Sequence, residues 1–133
     1  MLNIIYGAKG SGKTQKIIER VNARVKTSKG CVVYLTDCAN HSADVDNDVR
    51  FIDVLNYGLK SEDKVLYFIK GLLAGNYDIT DIFIDGLAKF VNMKIEDMEE
   101  IYGQLDLISS DTGVAFTLTV SAEEVPNFMK KYI

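Results

Sequence analysis

The sequence predicts an α/β fold with three layers, α/β/α, built around a mainly parallel sheet. Short apolar runs of the kind buried on both faces of a sheet alternate with amphipathic helical stretches along the chain. The 133 residues suit one domain, residues 1–133, and no linker or internal repeat divides them. A chain of this length can bury a sizeable core without a disulfide or a structural metal.

The first half of the chain contains three of the predicted strands. Residues 2–6 form a short apolar run, and apolar side chains then recur at helical spacing over residues 13–26. Gly30 separates this helix from a second buried strand at residues 31–35. Residues 49–54 could form a short third strand, so this half has the order strand, helix, strand, strand.

The second half continues the alternation of helices and strands. A helix is predicted to begin after Ser61, whose hydroxyl suits an N-cap, and to stop near Gly75. Residues 81–86 form a strand with a carboxylate at its carboxyl end, and residues 95–105 carry apolar side chains at helical spacing. Residues 114–120 are rich in strand-forming side chains and predict the last strand.

A final helix has two alternative starts. Ser121 and Glu124 have the spacing of a capping box, which would place the N-terminus of the helix at Ser121. Pro126 would then lie inside the helix and remove a backbone donor, so the helix could instead begin at Pro126. Both alternatives predict a helical segment over the last residues of the sequence.

Charge and cysteine content narrow the classes of function. The net charge of −4 argues against broad, sequence-independent nucleic-acid binding, which needs a basic surface. No stretch reaches the ~18 apolar residues of a membrane span, and the first residues do not resemble a secretory signal. Cys31 and Cys38 are the two cysteines, and so small a number indicates a reduced, cytoplasmic protein. Because no apolar stretch is long enough to span a membrane, we expect no membrane partner.

The most informative motif lies between the first strand and the first helix. Gly7, Gly12, Lys13 and Thr14 match the pattern G-x-x-x-x-G-K-[ST], which binds the phosphates of nucleotides. Glycines allow the backbone to curl with its N–H groups inward, and they leave no Cβ in the way of an anion. The N-terminus of the following helix adds its own N–H groups and positive dipole end. The alternative is an ordinary glycine-rich turn between a strand and a helix.

This motif assigns roles to individual residues. Lys13 would reach the β- and γ-phosphates as a point charge, and the Thr14 hydroxyl would bind Mg²⁺. Lys9 lies inside the motif but is not a fixed part of the pattern, so solvent is its expected environment. The predicted binding set for ATP, or another nucleoside triphosphate, is the whole stretch: Gly7, Ala8, Lys9, Gly10, Ser11, Gly12, Lys13 and Thr14.

These residues resemble the P-loop NTPase superfamily, and the strong part of the resemblance covers residues 2–26. Residues 82–85 look like the Walker B strand, which implies that Asp85 holds Mg²⁺ through a water molecule; a strand that ends in a helix-capping aspartate is the alternative. The order of elements is similar to the RecA-like division, in which the strand after Walker B inserts beside the P-loop strand. The whole chain resembles short bacterial single-domain proteins of this superfamily that are classed only as ATP-binding.

The sequence also departs from the RecA-like pattern. Gly86 stands where those ATPases commonly have a glutamate that orients the attacking water. Asp37, at the end of the second strand, could take that catalytic role beside Lys13 and Asp85, or it could only form a turn. No arginine is placed to act as an arginine finger, which can contribute 10³–10⁵ in rate, so we expect slow or absent hydrolysis by the isolated protein.

Other residues have weaker claims to a functional role. The resemblance to the RecA-like division implies that Thr119 or Ser121 could sense the γ-phosphate, although a strand threonine and a helix-capping serine are the favoured interpretation of these residues. Cys38 and His41 have a zinc-like spacing but no second pair of ligands. Residues 44–48 start like a calcium loop, but the required glycine and glutamate are missing further on.

The sequence therefore predicts an ATP-binding P-loop protein, with ATP as the default nucleotide because no guanine-specificity signature is present. It could be a weak or partner-dependent Mg-ATPase, or a nucleotide switch that acts on an unidentified protein partner. A small-molecule or nucleoside kinase is one alternative, with Asp37 accepting a hydroxyl proton. A degenerate interaction module without turnover is another.

Overall fold

The computed structural model describes all residues, 1–133, and contains five strands and four α-helices. The strands are β1 (Leu2–Gly7), β2 (Cys31–Thr36), β3 (Arg50–Asp53), β4 (Ile79–Asp85) and β5 (Ala115–Ser121). The helices are α1 (Lys13–Thr27), α2 (Glu62–Gly75), α3 (Leu87–Val91) and α4 (Glu99–Thr112). None of these helices combines the length and the apolar character that crossing a bilayer requires.

All five strands are parallel and form one sheet in the order β1-β5-β4-β2-β3. The last strand, β5, lies between β1 and β4, as the similarity in element order implied. The register aligns Gly7 with Ser121, and Thr36 with Asp85. Because parallel strands end at the same edge of a sheet, the carboxyl ends of β1, β2, β4 and β5 converge there.

Helices cover both faces of the sheet. On one face, α1 packs through Ile17, Ile18 and Val21 against side chains of β1, β2 and β4. The other face is covered by α2, α4 and a C-terminal 3₁₀ helix. The hydrophobic core on that face is the larger of the two and includes Met98 and Ile101. This arrangement is α/β and is compatible with the three-layer fold expected from the alternation of elements.

The strands and the first two long helices confirm the predictions, but the region after β4 differs. The short helix α3 is not predicted from the sequence, and it ends at Asn92, whose φ of 55° is left-handed. The helix expected over residues 95–105 begins only at Glu99, because Ile95–Asp97 forms a 3₁₀ turn first. Met98, which the periodicity placed inside the helix, is instead the residue that joins the two segments.

The capping box at Ser121 is wrong. Ser121 is the last residue of β5, and the backbone N–H of Ala122 continues the ladder by donating to the Gly7 carbonyl at 3.0 Å. The helical segment follows Pro126, as in the alternative start, but Asn127–Tyr132 is a 3₁₀ helix. Strand pairing therefore overrides the local capping signal, which depends on four residues alone.

Candidate functional site

The glycine-rich loop, residues 7–14, connects β1 to α1 at the carboxyl edge of the sheet. Gly10 and Gly12 have φ of 82° and 89°, a left-handed conformation that other residues rarely adopt. A Cβ at position 7 would lie 2.5 Å from the Ser11 hydroxyl, so a side chain there would require Ser11 to change its rotamer. The backbone N–H of Ser11 donates to the Ala8 carbonyl at 3.0 Å, which closes the turn.

Lys13 begins α1, and its side chain folds back over the loop. The residue is 9% exposed, and its ammonium donates a hydrogen bond to the Ala8 carbonyl oxygen at 3.0 Å. A buried ammonium needs hydrogen-bond acceptors, and a neutral carbonyl satisfies only one of its three donors. The cation therefore retains two donors for an anion at the mouth of the loop.

Asp85, the last residue of β4, accepts hydrogen bonds from three hydroxyl groups. The donors are Thr14 Oγ1 at 3.0 Å, Tyr34 Oη at 3.2 Å and Thr119 Oγ1 at 2.7 Å. They come from α1, β2 and β5, so three separate elements converge on this one carboxylate. The Thr119 hydroxyl also accepts from the backbone N–H of Gly86 at 3.1 Å, which fixes its orientation.

No cationic side chain balances the charge of Asp85. The residue is 8% exposed, yet neither of the two ion pairs in the structure, Arg24–Asp81 and Lys89–Asp37, includes it. A buried carboxylate without a cation is costly, and hydroxyl donors reduce that cost only in part. The site is therefore suited to a positive ion, and its hydroxyl and carboxylate oxygens are the hard ligands that Mg²⁺ prefers.

Tyr34 is held as a neutral hydrogen-bond donor. Its side chain is fully buried on β2, and burial together with the nearby charge of Asp85 raises the pKa of its phenol well above the ordinary value. Its ring packs edge-on against Phe51, with the ring centroids 5.7 Å apart. Because the phenol stays protonated, its hydrogen bond to Asp85 is preserved across the physiological range of pH.

A cavity of about 610 Å³ opens above this edge of the sheet. Asp37 and Asp85 line it from the ends of β2 and β4, as do Thr119 and Ser121 from β5. From the glycine-rich loop it is lined by Lys9, Gly10, Gly12, Lys13 and Thr14. The remaining predicted loop residues, Gly7, Ala8 and Ser11, do not line the cavity and instead shape the loop from behind.

Asp37 carries an ion pair with a residue from α3. Its Oδ2 lies 3.1 Å from Lys89 Nζ, and both residues line the cavity. They also line a neighbouring cavity of about 370 Å³ that contains Val54, Leu59 and Phe90. The pair thus forms a wall that the two cavities share.

The two residues considered as phosphate sensors behave differently. Thr119 uses its hydroxyl to donate to Asp85 and to accept from the Gly86 N–H, so it supports the carboxylate. Ser121 is exposed and lines the cavity. Neither arrangement identifies a phosphate sensor, and the hydroxyl of Thr119 is already engaged.

Arginine is absent from the lining of the cavity. Arg24 pairs with Asp81 at 2.7 Å, close to the amino end of β4, and Arg20 and Arg50 are exposed elsewhere on the surface. The cations that line the cavity are Lys9, Lys13 and Lys89. Lys9 is exposed, as expected, although it also borders the cavity.

Tyr34 and Lys89 are not among the residues predicted from the sequence. Tyr34 lies in a continuous apolar run, which predicts only a position in the core. A buried tyrosine hydroxyl usually has a hydrogen-bond partner, and this was the signal in the sequence that could have indicated a role for Tyr34. Lys89 lies in a helix of five residues that no periodicity reveals, and no local pattern connects it to Asp37. Long-range pairing of this kind requires the fold.

Cys38 and His41 also border the cavity, and the buried Nδ1 of His41 has no hydrogen-bond partner. The structure contains no group of three or more histidine, cysteine or acidic side chains that could hold a metal ion. A magnesium site on one hydroxyl and one carboxylate does not need such a group, because Mg²⁺ keeps several waters and also binds substrate phosphates.

The comparisons with known proteins give no relative. The sequence matches no protein-family model, and no curated protein is similar to it at a significant level. The chemistry of the site is therefore argued from its own residues.

Proposed function

We propose that this protein binds a magnesium–nucleoside triphosphate complex, with ATP as the default nucleotide, at the glycine-rich loop. The observation that carries the proposal is the hydrogen bond between Thr14 and Asp85, two residues distant in sequence that a P-loop and a Walker B strand would bring together. A carboxylate buried without a cation, beside a loop built to accept an anion, suits a ligand that supplies both.

Each residue has a defined role in this proposal. Backbone N–H groups of the loop would bind the phosphates, and Lys13 would exchange its Ala8 carbonyl for phosphate oxygens. Thr14 and Asp85 would hold Mg²⁺, which neutralises phosphate charge when bound. Tyr34 and Thr119 would keep the carboxylate in place through their hydrogen bonds.

We infer further that turnover by the isolated protein is slow or absent. Gly86 follows Asp85 in place of a carboxylate that would orient water, and no arginine lines the cavity. Asp37, the candidate base, is paired with Lys89 in this structure. The lack of arginine in the cavity lining also disfavours the kinase alternative, and a partner-dependent ATPase or a nucleotide switch fits the site better.

Thermal unfolding tests the binding proposal. ATP, GTP, ADP and GDP are compared with and without Mg²⁺, since a ligand at about 100 times its Kd adds roughly 2.7 kcal/mol to the free energy of unfolding. We expect Mg-ATP to stabilise the parent protein and the matched control Lys16→Ala, because Lys16 is exposed on α1 and does not line the cavity. Lys13→Ala should lose most of this stabilisation. Equal stabilisation of Lys13→Ala and the parent would refute the proposal.

A further inference from the structure

The ion pair between Lys89 and Asp37 lies at the edge of the proposed nucleotide site. The Lys89 side chain is 79% exposed and that of Asp37 is 15% exposed, so one partner lies largely in solvent and the other is held at the end of β2. Because Lys89 is largely exposed, solvent screens its attraction to Asp37, and holding the long lysine side chain in one position costs entropy. A competing anion can therefore separate Lys89 from Asp37 at small cost.

The fold carries Lys89 to the cavity from a direction that the loop lysines cannot supply. Lys9 and Lys13 reach the cavity from the glycine-rich loop, whereas Lys89 follows Asp85 by way of Gly86, whose φ of 88° turns the chain into α3. A triphosphate brings more negative charge to this cavity than a diphosphate does, and its terminal phosphate lies furthest from the nucleoside. Lys89 lines the cavity from an element other than the loop, so it could supply an additional cation to that phosphate.

We propose that Lys89 leaves Asp37 and binds the terminal phosphate, so that it makes the site prefer a nucleoside triphosphate to the diphosphate. This inference rests on the proposed function and assigns to one lysine the γ-phosphate contact for which the chain has no arginine. Asp37 is the resting partner of Lys89, and it competes with the phosphate for the same ammonium group.

The competition gives the two partners opposite effects. Removing Lys89 removes a charge-assisted contact made by the triphosphate only, so triphosphate affinity should fall by about tenfold. Removing the charge of Asp37 frees Lys89 before the nucleotide arrives, so triphosphate affinity should rise. Affinity for the diphosphate should stay within about twofold of the parent in both cases, because neither residue would contact it.

Calorimetric titrations with Mg-ATP and Mg-ADP test the inference in the parent, Lys89→Ala, Asp37→Asn and the double variant. Lys94→Ala is the matched control, because Lys94 is exposed nearby in sequence and does not line the cavity. We expect Lys89→Ala to reduce the ATP-to-ADP preference about tenfold and Lys89→Arg to restore it. The gain from Asp37→Asn should disappear in the double variant.

The outcomes separate this inference from the proposed function. Equal weakening of ATP and ADP by Lys89→Ala, or no weakening at all, would overturn the role of Lys89 while Lys13-dependent binding of Mg-ATP still stood. A gain from Asp37→Asn that persists without Lys89 would overturn the competition between carboxylate and phosphate. Absence of nucleotide binding by the parent protein would defeat the proposed function and this inference together.

Discussion

Two buried carboxylates lie near opposite ends of the same strand, and they differ in the groups that contact them. Asp81, near the amino end of β4, is 7% exposed and accepts a hydrogen bond from the guanidinium of Arg24 at 2.7 Å. Asp85, at the carboxyl end, is 8% exposed and has three hydroxyl donors but no cation. The same side chain at the same depth is thus paired with a cation at one end of the strand and with hydroxyl groups alone at the other.

This difference separates a structural carboxylate from a candidate functional one. The ion pair with Arg24 links α1 to β4 and already supplies Asp81 with a cation, so Asp81 does not need one from a ligand. The hydroxyl groups around Asp85 orient the carboxylate without cancelling its charge, which is the arrangement that a metal ligand needs. Two pairs of substitutions and one change of pH test this difference.

The largest expected effect comes from removing one carboxylate charge at a time. Asp85→Asn should weaken Mg²⁺-dependent nucleotide binding by about 10- to 100-fold, because the proposed metal site would lose its only carboxylate. Its free energy of unfolding should stay within about 1 kcal/mol of the parent, since the variant no longer buries an unbalanced charge. Calorimetry with and without Mg²⁺, together with urea unfolding, measures both quantities.

Asp81→Asn is the matched control at the other end of the strand. It should leave nucleotide binding unchanged and lower the free energy of unfolding by about 1–2 kcal/mol, because the Arg24 guanidinium loses its charged acceptor. If Asp81→Asn weakened Mg²⁺ dependence as much as Asp85→Asn, the contrast between the two carboxylates would have no functional meaning.

A smaller effect is expected from Tyr34→Phe, which removes one of the three hydroxyl donors to Asp85. Mg²⁺ affinity of the nucleotide complex should fall by about tenfold, because the carboxylate is less well oriented. Tyr132 provides a matched control, since its hydroxyl donates to the Asp106 carboxylate over 3.1 Å and neither residue lines the cavity. Tyr132→Phe should change stability but leave Mg²⁺ affinity at the parent value; an equal loss in both variants would contradict a positioning role for Tyr34.

The smallest effect is expected at alkaline pH. Burial, followed by the neighbouring carboxylate, raises the pKa of Tyr34 and raises that of Tyr132 to about 12. Unfolded tyrosine ionises near pH 10, so the free energy of unfolding contributed by either phenol is complete below about pH 10 and is lost as the pH rises towards the folded pKa. Urea unfolding from pH 8 to about pH 11 should show a shallower decline in Tyr34→Phe and in Tyr132→Phe than in the parent.

Both tyrosines should behave alike in this experiment. Stability at alkaline pH therefore does not distinguish the Tyr34–Asp85 hydrogen bond beside the cavity from the Tyr132–Asp106 hydrogen bond outside it. An unchanged decline in both variants would show that the two phenols ionise equally in the folded and unfolded protein.

The sequence was sufficient for most of the fold because its signals are local. Short apolar runs identified β1, β2 and β4, and strand-forming side chains identified β5, while residues 49–54 indicated β3. The Ser61 hydroxyl does accept from the Lys64 N–H at the start of α2. The predictions were wrong where strand pairing determines the local structure. Ser121, for example, is part of β5 and pairs with Gly7 of β1. The short helix α3 was missed because five residues are too few to establish a helical period.

The candidate site was predictable in part for the same reason. The glycine-rich loop is contiguous, so Lys13 and Thr14 could be named from their spacing alone. Asp85 could be proposed from its place at the end of an apolar strand. The donation from Tyr34 and the pairing of Lys89 with Asp37 depend on strand order and on a turn at Gly86, which a single sequence does not specify.

The position of β5 also bears on how the protein is made. The glycine-rich loop is synthesised before β5, and β1 has no neighbour in the sheet until β5 inserts beside it. Thr119, which supports Asp85, arrives with that same strand. Such long-range pairing makes folding slow relative to local helix formation. A nascent chain that carries the complete loop but lacks residues 115–121 should therefore be unable to capture a nucleotide during translation.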